Sequence, residues 1–280
     1  RLSSGSRVCS RHFNKGRMVM DFPLIYCNGD SFSNEHYHPS LVGKTYVNFV
    51  ADYCHGFAIN KAQNASSNRR IIRTTVHDMI QQRQLNPHQK TIALIQLTTS
   101  VRSEIWLDDK FNKLEEESNF VQVQFANKPD WRERLLKGKD PNPNNGPVSN
   151  HNISKKYWDK LTEGLAYFHN GQAEYINLLC DLIMLQTLLE SLNIDFIIFS
   201  GPQEQQFESS YLLEFFRNKL QKDKRYIDFE SFGFCAWSAK QNYIPLDTEP
   251  NPHIGHYGPD AHEAFAKQII IPKLKELNII

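Results

Sequence analysis

The chain has 280 residues, a formal net charge of +1 and an apolar fraction of 40%, the make-up of a globular protein rather than a disordered or fibrous one. A charge so close to zero offers no global electrostatic case for nucleic acid or an anionic membrane, and no run approaches the ~18 apolar residues of a membrane-spanning helix. The five cysteines are odd in number, widely spaced and without a CxxC pair, which argues against a disulfide framework or a zinc ribbon and suits a reducing compartment.

Residues 1–17 carry Arg1, Arg7, Arg11, Lys15 and Arg17 with no acid and no apolar stretch, so they do not read as a secretory signal. They are expected to be a disordered basic tail or a non-native leader, with translation beginning at Met18 or Met20. A cytoplasmic or virion-associated location is expected. Residues 18–280 are expected to form a single domain.

The first element is a short apolar run, residues 22–27 (FPLIYC), that stops at Asn28-Gly29-Asp30-Ser31. Such a run ending at a glycine turn predicts a buried strand feeding a loop. A helix over 45–53 follows, then a short strand over 56–59 and a long helix over 67–84, with Ile71, Ile72, Val76 and Ile80 at helical spacing. Residues 91–97 (TIALIQL) make the clearest buried strand. Residues 170–192 predict an amphipathic helix, 194–200 (IDFIIFS) another buried strand, and 262–277 the closing helix.

Strands alternating with helices, the strands apolar throughout, predict a three-layer α/β/α sandwich with a mostly parallel sheet covered on both faces. Ligands on such sheets sit beyond the C-terminal strand ends. Residues 103–170 are charged, contain Pro141-Asn142-Pro143-Asn144-Asn145-Gly146-Pro147 and show no strand of comparable strength, so they are read as an insertion over the strand ends, a lid or a partner surface.

Two segments carry the chemistry. In Gly29-Asp30-Ser31-Phe32-Ser33, a serine directly after a buried strand on a glycine-containing turn exposes its hydroxyl and has backbone N–H groups close by for a developing oxyanion. By itself the tripeptide is weak, since all three residues are common turn formers. The second segment, His256-Tyr257-Gly258-Pro259-Asp260-Ala261-His262, places His256 on a loop just before the last helix. The ordinary titration range of imidazole suits a general base for that serine. His262, six residues on, is expected to be structural.

With these residues in place, the chain resembles the SGNH/GDSL hydrolase family of esterases and lipases, in forms seen in phage and environmental sequences. Gly29, Asp30 and Ser31 match its first block. Asn60-Lys61-Ala62-Gln63-Asn64-Ala65-Ser66-Ser67-Asn68 matches the second, with Ala65 where the family has the glycine that lends an N–H to the oxyanion hole. The third block ends the central strand with an oxyanion asparagine; here the strand runs into Thr98, Thr99 and Ser100, whose hydroxyls are the substitutes, with Arg102 beyond them as an anion stabiliser. The fourth block places an aspartate three residues before the histidine. His256 matches the histidine, but the earlier position is His253, and Asp247 is the nearest upstream acid.

The resemblance implies a serine esterase with Ser31 as nucleophile and His256 as base, His253 or Asp247 as the orienting third residue or else a Ser–His dyad oriented by a backbone carbonyl, and an oxyanion hole of Ser31, Ala65 and Thr99. The family handles lipid, short-chain and acetylated-carbohydrate esters, and the polar, asparagine-rich sequence without a long apolar patch favours a small or carbohydrate acyl or acetyl ester. No cofactor, metal, nucleic-acid partner or membrane span is expected. A metal site would draw on His253, His256 and His262, or on His36, His38 and His55, but none of these has the compact ligand spacing that zinc favours. The competing reading is a catalytically weak or inactive member serving as a glycan-binding or virion structural module, suggested by the missing asparagine and aspartate. A nucleotide-binding protein is excluded for want of GxGxxG or GxxxxGK[ST].

Overall fold

Four apolar strands lie side by side and all parallel, in the order β2-β1-β3-β7. They belong to a computed structural model that describes residues 22–64, 66–99, 102–106, 120–124, 148–149, 171–202, 209–227, 232–246 and 255–280. The strands are β1 (Leu24–Asn28), β2 (Phe57–Asn60), β3 (Thr91–Leu97) and β7 (Asp195–Ser200). Every residue of β1 and β3 is buried, as expected of central strands covered on both faces. Beyond β7 the chain adds single parallel bridges, Ile198 with Tyr226 and Ser200 with Gly233, which extend the sheet to a fifth position. This is the 2-1-3-4-5 order of doubly wound sheets.

Helices cover both faces. Over one lie α1 (Tyr46–Tyr53), α5 (Phe234–Lys240) and α6 (Pro259–Phe265), enclosing Ile25, Val47, Leu94, Phe199, Phe234 and Phe265. Over the other lie α2 (Asn68–Leu85), α3 (Gly171–Ser191) and α4 (Tyr211–Gln221), enclosing Tyr26, Ile71, Ile95, Leu182 and Phe196. The side chains of β1, β3 and β7 alternate between these two cores, which is why these strands read as unbroken apolar runs. The fold class is therefore the α/β layered sheet that the sequence predicts. No helix among the described residues is long and apolar enough to cross a membrane.

Four features differ from the sequence expectation. The edge strand β2 is not covered: Phe57 is 50% exposed and Ile59 39%. Residues 103–170 do contain strands: β4 (Arg102–Trp106), β5 (Phe120–Gln124) and β6 (Val148–Ser149) form a separate antiparallel sheet in that order. Helices α4 and α5 had no counterpart in the expected element order.

The closing helix begins earlier than expected, because Pro259 fits the first turn, where its missing N–H is not needed. It then passes through a π turn over Ala266–Ile270 into α7 (Ile271–Glu276). Pro272, in the first turn of α7, has no N–H to continue the ladder, so the irregular turn falls just before it. The basic segment 1–17 lies outside the described residues.

Candidate active site

The chain leaves β1 at Asn28 and turns at once, with the Ser33 N–H donating to the Asp30 carbonyl at 3.1 Å. Asp30 stabilises this turn from within. Its Oδ1 accepts from the Phe32 N–H at 3.1 Å, and its Oδ2 accepts from Arg102 at 2.5 Å. The Asp30 carboxylate is fully buried and the Arg102 side chain 13% exposed, so the pair satisfies a charge that could not stand alone there. Arg102 thus pairs with Asp30 through Nη1, a partner the sequence did not suggest.

Gln96 of β3 supports the same turn from below. Its Oε1 accepts from the Asp30 N–H at 3.2 Å and from Ser33 Oγ at 2.7 Å. The Gln96 amide lies in a slot between two glycines. A Cβ on Gly29 would fall 2.6 Å from Gln96 Oε1, and one on Gly201 would fall 2.1 Å from its Nε2. Glycine at both positions is what lets a polar side chain cross the sheet here.

Ser33 Oγ in turn meets the Tyr46 hydroxyl, which also contacts Cys27 Sγ at 3.2 Å. Burial pushes the Tyr46 phenol well above its ordinary range and the Cys27 thiol up to about 12, so both groups keep their protons. A neutral, fully buried chain of hydrogen bonds therefore links β1, α1 and β3 beneath Ser31.

The segment after β2 runs alongside. Lys61 N–H donates to the Cys27 carbonyl at 2.8 Å and Gln63 N–H to the Gly29 carbonyl at 3.1 Å. Asn60 Nδ2 donates to the Ser33 carbonyl at 2.7 Å. Ser67 caps α2 by accepting from the Arg70 N–H at 3.1 Å. Asn68, the first residue of that helix, clasps the end of β3: its Oδ1 accepts from the Thr98 N–H and its Nδ2 donates to the Thr98 carbonyl, both at 2.8 Å. The hydroxyls of Thr98 and Thr99 are buried and find no partner among the described residues. Ala65 lies outside the described residues.

Opposite this frame stands His256. Its carbonyl accepts from the Leu246 N–H at 2.6 Å, and Pro245 and Tyr257 form a bridge beside it. Tyr257 is buried against Phe234, ring centroids 6.1 Å apart, which fixes the chain just past the histidine in the core. His256 Nε2 lies 2.7 Å from Ser31 Oγ, a full hydrogen bond between residues 225 positions apart. The imidazole stacks on two aromatic rings, Phe32 at 4.7 Å and Tyr37 at 3.7 Å between centroids.

The structure therefore brings Ser31 and His256 together and places Thr99 at the end of the neighbouring strand. His253 and Asp247 lie outside the described residues. His262 is buried, and its Nδ1 accepts from the Tyr46 N–H at 3.3 Å. Burial, followed by the proximity of His256, drives its pKa down to about 3, so it stays neutral and structural. His36 and His38 are exposed; His38 caps a short 3-10 turn by accepting from the Ser40 N–H. Among the described residues no group of three or more His, Cys, Asp or Glu side chains could hold a metal.

Sequence reasoning missed Gln96, Asn68, Tyr46 and Tyr37. For Gln96 a signal was present: it is the lone polar residue between apolar neighbours in TIALIQL.

No protein-family model matches the chain, and no curated protein does. Among solved structures, the chain is similar to a protein described as a lipolytic member of the G-D-S-L family from Desulfitobacterium hafniense DCB-2. That likeness has 8% identity, covers 87% of this chain and 95% of that one, and has a TM-score of 0.34. It is also similar to a protein described as a GDSL-like lipase from Parabacteroides merdae ATCC 43184, at 10% identity over 92% of this chain and 96% of that one, with a TM-score of 0.32. Likenesses this distant carry no argument about the reaction.

Proposed function

We propose that the chain is a serine hydrolase that cleaves a carboxylic ester, with Ser31 as nucleophile and His256 as general base. The observation that carries this reading is the 2.7 Å contact between Ser31 Oγ and His256 Nε2 at the C-terminal ends of the parallel strands, where doubly wound sheets bind ligands.

In the first half-reaction Ser31 Oγ attacks the carbonyl carbon while its proton passes to His256 Nε2. The resulting oxyanion is held by the Ser31 and Ala65 N–H groups and the Thr99 hydroxyl. The tetrahedral intermediate collapses, the C–O bond to the alcohol breaks, and His256 returns its proton to the leaving oxygen. Water then attacks the acyl-enzyme, His256 takes a proton from it, and the acid departs with Ser31 restored. No cofactor enters these steps. The polar, asparagine-rich sequence favours a small or carbohydrate acyl ester, such as an acetyl ester, over a long-chain lipid.

Hydrolysis of p-nitrophenyl acetate by the wild type, Ser31→Ala and His256→Ala tests the reading. Turnover by the wild type and its loss in both variants, with their folds intact, is expected; equal rates for the wild type and Ser31→Ala would sink it. Parallel assays of Asp247→Ala and His253→Ala test whether either orients His256, and unchanged rates in both would leave a Ser–His dyad.

A further inference from the structure

We infer that Tyr37, together with Phe32, is a positioning residue for His256: the stacked rings hold the imidazole plane in the orientation that puts Nε2 on Ser31 Oγ. This inference rests on the proposed roles of Ser31 and His256.

A histidine side chain turns freely about χ2, whose well is broad, so a loop histidine needs something outside itself to fix its plane. Both rings lie nearly parallel to the imidazole, at 19° for Phe32 and 16° for Tyr37. Turning the imidazole about χ2 would swing its edge into these neighbours. The stack fixes the ring plane, and of the two orientations a half-turn within that plane allows, the observed one has Nε2 at 2.7 Å from the serine oxygen.

Both stacking rings come from the nucleophile's own loop. Phe32 follows Ser31 directly; its N–H is bound by Asp30 Oδ1 at 3.1 Å, and its ring lies where a Cβ on Gly201 would meet it at 3.0 Å. Tyr37 sits on the turn after it, with its N–H donating to the Asn34 carbonyl at 3.2 Å. That turn is tied down by Asn34 Nδ2 donating to Asn64 Oδ1 at 2.9 Å, and by the Gly43 N–H donating to Glu35 Oε2 at 3.2 Å. The plane of a base supplied by the C-terminal loop is therefore set by side chains anchored beside the serine.

The test compares the wild type, Tyr37→Ala and Tyr37→Phe. Tyr37 is half-buried on a loop, so its truncation spares the core. Three readouts apply: the NMR shifts of the His256 ring protons, the rate at which a fluorophosphonate labels Ser31, and kcat and KM for p-nitrophenyl acetate. In the wild type the stacked rings displace the His256 proton shifts. In Tyr37→Ala that displacement shrinks, labelling and kcat fall roughly ten- to a hundredfold with KM little changed, as for a misplaced catalytic group, and Tyr37→Phe restores all three.

Wild-type labelling and kcat in Tyr37→Ala would overturn the inference, as would a Tyr37→Phe defect equal to that of Tyr37→Ala, which would assign the effect to the phenol oxygen. A wild-type protein that neither labels nor hydrolyses would instead remove the hydrolase reading. In that event the wild-type His256 ring shifts still decide the stack, and undisplaced shifts would overturn it.

Discussion

The Asp30 carboxylate and the Arg102 guanidinium meet at 2.5 Å, joining the turn that carries Ser31 to the first residue of the antiparallel sheet. A buried ion pair of this kind adds little net stability over an apolar pair, but losing one partner strands the other. Arg102→Met is expected to destabilise the protein by about 3 kcal/mol or more, read as a lower urea midpoint. Arg102→Lys, which keeps the charge but not the fork geometry, should recover part of that loss.

Gln96 and Gly201 make a second coupled pair. Gly201→Ala drives its new Cβ into the Gln96 amide, 2.1 Å away, at a cost of about 1–3 kcal/mol for overpacking. When Gln96 is already alanine that clash is gone, and the tight approach to the Phe32 ring at 3.0 Å is what remains. The double variant should be more stable than the two single losses add up to, by at least about 0.5 kcal/mol. Strict additivity in denaturation midpoints would show that the two side chains do not meet.

Asn68 is the residue that holds the end of β3 in place. Asn68→Leu leaves both polar groups of the buried Thr98 backbone unsatisfied, for a loss of about 1–3 kcal/mol. Ester hydrolysis should fall further than stability alone explains, since Thr99 is the next residue along. Normal turnover in a folded Asn68→Leu protein would remove the strand end from the oxyanion site.

His262 gives the protein an acid sensitivity of known sign. Its pKa falls from an ordinary 6.5 to about 3 in the folded state, so between these values the unfolded chain binds a proton that the native chain does not. Stability is complete above about pH 6.5 and is lost as the pH falls toward 3, with a slope approaching one proton per molecule. His262→Gln, which keeps an acceptor for the Tyr46 N–H, should remove that component. Denaturation midpoints measured across pH 4–7 check it, and parallel curves for the two proteins would count against the assignment.

The frame was legible wherever burial wrote a continuous apolar run or a helical stripe. β1, β3 and β7 lie within a residue or two of their expected limits, and α2 and α3 likewise. α5 (FCAWSAK) was missed because seven residues are too few to display a period. The alternation of Val121-Gln122-Val123-Gln124 in β5 was present in the sequence, but charged neighbours on either side made the whole region read as irregular.

At the site, Ser31 and His256 could be named because each lies in a short segment of recognisable composition. Their supports could not. Gln96 acts across two strands and Tyr37 through a ring stack, and neither leaves a spacing in the chain; Asn68 closes the second block, but its hold on the end of β3 crosses from a helix to a strand.

The hydrogen-bonded chain from Cys27 through Tyr46 and Ser33 to Gln96 has a consequence for motion. The amide of Asp30 is locked to a side chain in the middle of the sheet, so its hydrogen can exchange with solvent only when the sheet itself opens. The carbonyl of His256 accepts instead from the amide of half-buried Leu246, so the exchange of that amide, set against the Asp30 amide, compares how the two halves of the site open.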